Sequence, residues 1–83
     1  MKATVDNIGQ TYKVRLMSYK SVRYYGGRDI TTYSHFVTAT VVGIQDGCQP
    51  YIVTLNEDMK NYNGRVQYRM GHKIAISEND FAL

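Results

Sequence analysis

His35, His72 and Cys48 hold all the imidazole and thiol chemistry of this 83-residue chain. Histidines set among tyrosines, lysines and arginines are the kit for general acid–base cleavage of RNA, in which one group takes a proton and another returns it. Almost any small basic protein offers the same kit, and nothing in the spacing gathers it at one place. No C-x-x-C or H-x-x-x-H pattern brings metal ligands together. Cys48 follows Asp46-Gly47 in a turn, with no neighbouring cation to activate it, and reads as an incidental thiol. The glycines of "YYGGRD" (24–29) lack the spacing and the following helix of a phosphate-binding loop. The chain therefore reads as non-enzymatic, without cofactor or metal. A small ribonuclease using His35 and His72 is the enzymatic alternative.

Binding chemistry is better represented. Lys13, Arg15, Lys20, Arg23 and Arg28 fall within residues 10–28, where no acid occurs and Tyr12, Tyr19, Tyr24 and Tyr25 are interleaved. Residues 29–58 reverse the sign, holding Asp29, Asp46, Glu57 and Asp58 without a lysine or arginine. Residues 60–73 return to positive through Lys60, Arg65, Arg69 and Lys73, and the whole chain carries a formal +3. Cations neutralise phosphates and tyrosine rings stack on unpaired bases, which suits single-stranded RNA or DNA. Tyrosine, methionine and arginine are equally the anchors of protein–protein interfaces.

If residues 12–25 form one strand with even positions inward, its odd face carries Lys13, Arg15, Met17, Tyr19, Ser21, Arg23 and Tyr25. Arg28 in the turn would extend that face, and so would Arg65 and Arg69 on a later strand. Lys13, Arg15, Tyr19, Arg23, Tyr25, Arg28, Arg65 and Arg69 are the expected contact surface. The competing reading is a solvated sheet face with cations opposite Asp29 or Glu57. Register decides between side chains, because one bulge reverses every residue beyond it. Lys13 and Arg15 are thus fixed more firmly than Arg23 and Tyr25, and past a bulge Tyr24 would face outward in place of Tyr25.

The elements that must carry these residues are strands. Val, Ile, Thr and Tyr dominate, and no long window repeats apolar residues at helical spacing. "TYKVRLMSYKSVRYY" (11–25) alternates, and Gly26-Gly27 is the expected two-residue turn. "ITTYSHFVTATVVGIQ" (30–45) returns, with a bulge or bend expected near Gly43. "DGCQP" (46–50) turns again before "YIVTLN" (51–56). "EDMKNYNG" (57–64) has room for a helical turn and ends in a hairpin signal, Asn63-Gly64. "RVQYRM" (65–70) and "KIAIS" (73–77) are expected to pair about Gly71. "KATV" (2–5) is a candidate edge strand, and "SENDF" (77–81) a 3₁₀ turn that plugs Phe81 and Leu83 into one end.

Such a chain is expected to be all-β, one domain over 1–83: a small antiparallel barrel of five or six strands. From about residue 12 to 83, the long first hairpin, middle meander and terminal turn resemble an SH3-like barrel. An OB-like barrel is the alternative, but no helix-length segment stands between the third and fourth strands. In brevity and lack of catalytic residues the chain is similar to small bacteriophage accessory proteins. That resemblance implies an inhibitor covering a host protein's functional or nucleic-acid-binding surface. A protein partner is the first expectation and direct single-stranded RNA or DNA binding the alternative. One cysteine permits no internal disulfide, and no apolar run suits a membrane, so a cytoplasmic protein is expected, in the host cytoplasm if phage-encoded. Oligomeric state is left open at this stage.

Overall fold

In the computed structural model, which describes residues 2–82, the alternation of the first segment becomes one long hairpin. Strand β1 (Thr11–Tyr24) pairs antiparallel with β2 (Gly27–Ile44), from Thr11 opposite Thr40 to Tyr24 opposite Gly27, with no break in register. No bulge intervenes, so the parity set at Val14 and Leu16 holds to the end of β1. The turn itself lies one residue earlier than Gly26-Gly27. Tyr25 and Gly26 are its central pair, and Gly26 takes a φ of +91° that a side chain would strain. Gly27 belongs to β2 for a different reason. A Cβ there would sit 3.1 Å from Tyr24 Oη, so glycine makes room for the tyrosine ring lying across it.

Beyond the hairpin, β3 (Tyr51–Leu55) and β6 (Lys73–Ile76) complete a four-stranded antiparallel sheet in the order β1-β2-β3-β6. The β2–β3 register shifts between Val41 and Gly43, where the bulge was expected. β3 alternates strictly, burying Tyr51, Val53 and Leu55 on one face. Val14, Leu16, Val37, Ala39 and Val41 meet them, and each valine or leucine here contributes about 1.5–3 kcal/mol by leaving water.

Residues 57–70 depart from expectation. No helical turn forms, and β4 (Met59–Lys60) pairs instead with β5 (Val66–Tyr68) across a turn containing Asn63-Gly64. The pairing of 65–70 with 73–77 about Gly71 does not occur: β6 finds β3. The reason is burial, since Tyr51 and Val53 offer Ile76 and Ile74 an apolar neighbour that the exposed β5 lacks. Residues 2–5 form no edge strand either. Lys2–Thr4 have no regular structure, and Val5–Asn7 form a 3₁₀ turn whose start is held by the Asn7 side chain on the Thr4 N–H at 2.9 Å.

At the other terminus Glu78–Asp80 form the expected 3₁₀ turn, and Phe81 is buried edge-on against Tyr51. Leu83 lies outside the described residues. Phe81 also makes a single antiparallel bridge to Val14, and the Ala82 N–H reaches the Lys13 carbonyl at 2.9 Å. The sheet does not close into a barrel. Between the β1 and β6 edges a cleft of about 260 Å³ remains, lined by Arg15, Tyr19, Gln67, Ile74 and Asp80 among others. One residue bridge is too short to close the seam.

A candidate binding surface on the ribbon arm

The molecule measures 51 × 24 × 19 Å, and its length comes from the hairpin. Every residue from Tyr19 to Ser34 is exposed, because β3 pairs with β2 only from Ala39 onward. The outer half of the hairpin is thus a two-stranded arm with solvent on both faces.

Strand parity sorts its side chains. Residues paired across an antiparallel ladder share a face. The buried face of Val14, Leu16 and Ser18 continues outward as Lys20, Val22 and Tyr24, with Thr31 and Asp29 opposite. The other face carries Lys13, Arg15, Met17, Tyr19, Ser21 and Arg23, joined from β2 by Arg28, Ile30, Thr32, Ser34 and Phe36. Lys13, Arg15, Tyr19, Arg23 and Arg28 therefore share one face, and no acid stands among them on either strand. Arg23 is directly opposite Arg28 at the next-to-last rung. Arg15 reaches back to Asp80 at 3.6 Å, and its Nε is buried without a hydrogen-bond partner among the described residues.

The remaining expected residues are placed differently. Tyr25 lies in the turn, wholly exposed and off the strand, because the hairpin reverses one residue early. Arg65 and Arg69 are exposed but flank β5 rather than sharing a face of it, since that strand spans only Val66–Tyr68. Asp29 stands opposite Val22, not a cation. Phe36 and Ile30 were absent from the expected surface although they share the basic face. Once the turn is placed at Tyr25-Gly26, counting rungs back along β2 finds both.

The base of the arm holds a polar knot. Ser18, 2% exposed, lies with its Oγ 2.7 Å from His35 Nε2 and accepts the Tyr62 N–H at 3.1 Å. The Tyr62 ring stacks on Tyr33 at 5.4 Å between centroids, and Gln67 Nε2 donates to the Met17 carbonyl at 3.2 Å. The β4–β5 segment thus straps across the hairpin where its burial ends. His72 stacks on Tyr68 instead, at 4.9 Å. Among the described residues no three His, Cys, Asp or Glu side chains gather as a metal site, and no helix is long and apolar enough to cross a membrane.

No family model, curated protein or solved structure matches this chain.

Proposed function

We propose that this chain is a non-enzymatic binding protein that engages a protein partner through the basic face of its ribbon arm. The observation that carries the reading is the Arg23–Arg28 rung. Like charges directly opposite one another destabilise a ladder, and an anionic surface laid over them turns that cost into attraction. Tyr19, Ile30 and Phe36 supply apolar and aromatic anchors beside the cations, as interface cores require. The partner's matching surface is acidic, either in its own right or because it is built to resemble nucleic acid. Covering such a surface blocks it, which is the mode of action of a small phage-type inhibitor in the host cytoplasm. The body is read as an SH3-like barrel with one seam open, supported by the 3₁₀ turn that sends Phe81 back onto β1.

Affinity capture from lysate tests this, using the wild-type chain and an Arg23→Glu/Arg28→Glu variant, each with and without nuclease. A stoichiometric protein that survives nuclease and is lost with the charge reversal supports the reading. Loss on nuclease treatment favours the second reading, direct binding of single-stranded nucleic acid by the same face. That reading is favoured by the same two facing guanidiniums with Tyr19 further along the same face, and it requires affinity that falls steeply with salt. Capture equal with both chains overturns the role given to the arm.

A further inference from the structure

The two edges of the arm differ in kind. Along β2 the backbone groups of Thr38 point away from β1: its N–H donates to Glu57 Oε2 at 3.0 Å and its carbonyl accepts the Asn56 N–H at 2.9 Å. With the register unbroken, the groups of Phe36, Ser34, Thr32, Ile30 and Arg28 point the same way. Among the described residues none of these five has a backbone partner on that side. The stretch "ITTYSHF" (30–36) contains no lysine, arginine, acid, proline or glycine. Free edges in natural sheets are guarded by charged side chains, lysine above all, by proline or by a bulge, and from Ile30 to Phe36 this one has none of them. The β1 edge, by contrast, is flanked by Lys20 and Arg23, and Gln67 occupies its Met17 carbonyl.

The unguarded edge is also bounded. It starts at Arg28, the first outward residue after the turn, and stops at Phe36, because Thr38 is taken by Glu57 and Asn56. Its midpoint is Thr32.

We infer that this edge pairs antiparallel with the same edge of a second copy, about a two-fold axis through Thr32. Thr32 then faces Thr32 of the second copy, Ile30 faces Ser34, and Arg28 faces Phe36. On the opposite face Asp29 stands by His35 and Thr31 by Tyr33. Threonine pairs, a guanidinium over a phenyl ring and a carboxylate by an imidazole are each favourable, and no like charges meet. Each of the first set of facing pairs exchanges two backbone hydrogen bonds. The register is unique in using the whole edge. Shifted two residues toward the body, Arg28 meets the occupied Thr38; shifted toward the tip, Phe36 meets the turn. Pairing makes a four-stranded sheet of two arms, and a lone two-stranded ribbon in water is marginal. The basic face stays open to solvent on the paired sheet, and Arg28 and Phe36, which the binding role also uses, lie side by side on it.

Sedimentation equilibrium of the full chain at high micromolar concentration tests the assembly, and is expected to give twice the monomer mass. Thr32→Pro removes an N–H that points away from β1, a position where an edge strand tolerates proline. It should give a monomer with an unchanged circular dichroism spectrum, and Thr32→Lys should do the same by placing two ammonium groups at the axis. In a Cys48→Ser background, Thr32→Cys should cross-link on oxidation, because facing Cα atoms of such a pair lie about 5.5 Å apart. Ile30→Cys in that background should not. A monomeric wild type, including one that pairs this edge only with a foreign strand, overturns the inference. So does a dimer that survives both Thr32→Pro and Thr32→Lys, or equal cross-linking at positions 30 and 32.

Discussion

Ser18 and His35 are diagonal neighbours on facing strands, joined at 2.7 Å from Oγ to Nε2. Oγ also accepts the Tyr62 N–H, so one hydroxyl binds both groups. The pair has the geometry of a serine nucleophile and its base. Its setting differs, since Ser18 is shut off from solvent and ties residue 62 to the root of the arm.

Ser18→Ala should therefore cost stability. It leaves the Tyr62 N–H and the imidazole without their partner, a loss of about 1–3 kcal/mol. Urea unfolding with an unchanged slope would read this, and hydrogen exchange should quicken at the Tyr62 amide. Unchanged stability would remove the knot from the account.

Tyr51→Phe should run the other way. The ring packs edge-on against Phe81 at 4.8 Å, while its hydroxyl is buried without a hydrogen-bond partner among the described residues. Removing that oxygen should stabilise the fold by about 1 kcal/mol. Burial, then the Glu78 carboxylate, then Tyr12 raise the Tyr51 phenol above its ordinary pKa. The unfolded chain loses this proton near pH 10 and the folded chain only at higher pH, so folding retains a proton there. This contribution is fully present below about pH 10 and is lost as pH rises above it. Melting curves taken across that range should fall more steeply for the wild type than for Tyr51→Phe.

Two methionines should separate core from surface. Met59 is fully buried on β4, whereas Met70 is 67% exposed. Met59→Ala should cost about 2–5 kcal/mol through lost burial and a residual cavity. Met70→Ala should stay within about 0.5 kcal/mol of the wild type. Denaturant midpoints of the two variants check both values.

Arg23→Thr should strengthen the free arm while weakening its binding. Relief of the Arg23–Arg28 repulsion is worth about 0.2–1 kcal/mol at low salt and shrinks as salt screens the charges. Slower amide exchange at Val22 and Tyr24, which face β2, would report the first effect. A weaker capture signal would report the second.

Much of the arm was legible because alternation needs only neighbours. Val14 and Leu16 set the parity, and an unbroken ladder carried it as far as Arg23. The errors lie where a longer-range choice decides. Tyr25 left the expected face because the chain reverses at Tyr25-Gly26, and Gly27 serves the Tyr24 ring instead, a contact visible only across the rung. Residues 65–70 and 73–77 have adjacent, strand-forming sequences, yet β6 prefers the buried flank of β3. Arg65 and Arg69 left the expected face because β5 spans only Val66–Tyr68 and they lie outside it. The Ser18–His35–Tyr62 knot joins three separate segments and leaves no local signature.

The unbroken ladder of the hairpin has a kinetic consequence. Its buried rungs, such as Val14 with Val37, lie far from the turn, and closing them first means fixing a loop of some twenty residues at once. Starting from Tyr24 with Gly27 closes only two residues, which lowers the loop-closure cost by about 2 kcal/mol. Each further rung then adds to a ladder already in register. The outer half of the arm contributes nothing to the core, yet it is the inexpensive route by which β1 and β2 find the register that the core needs.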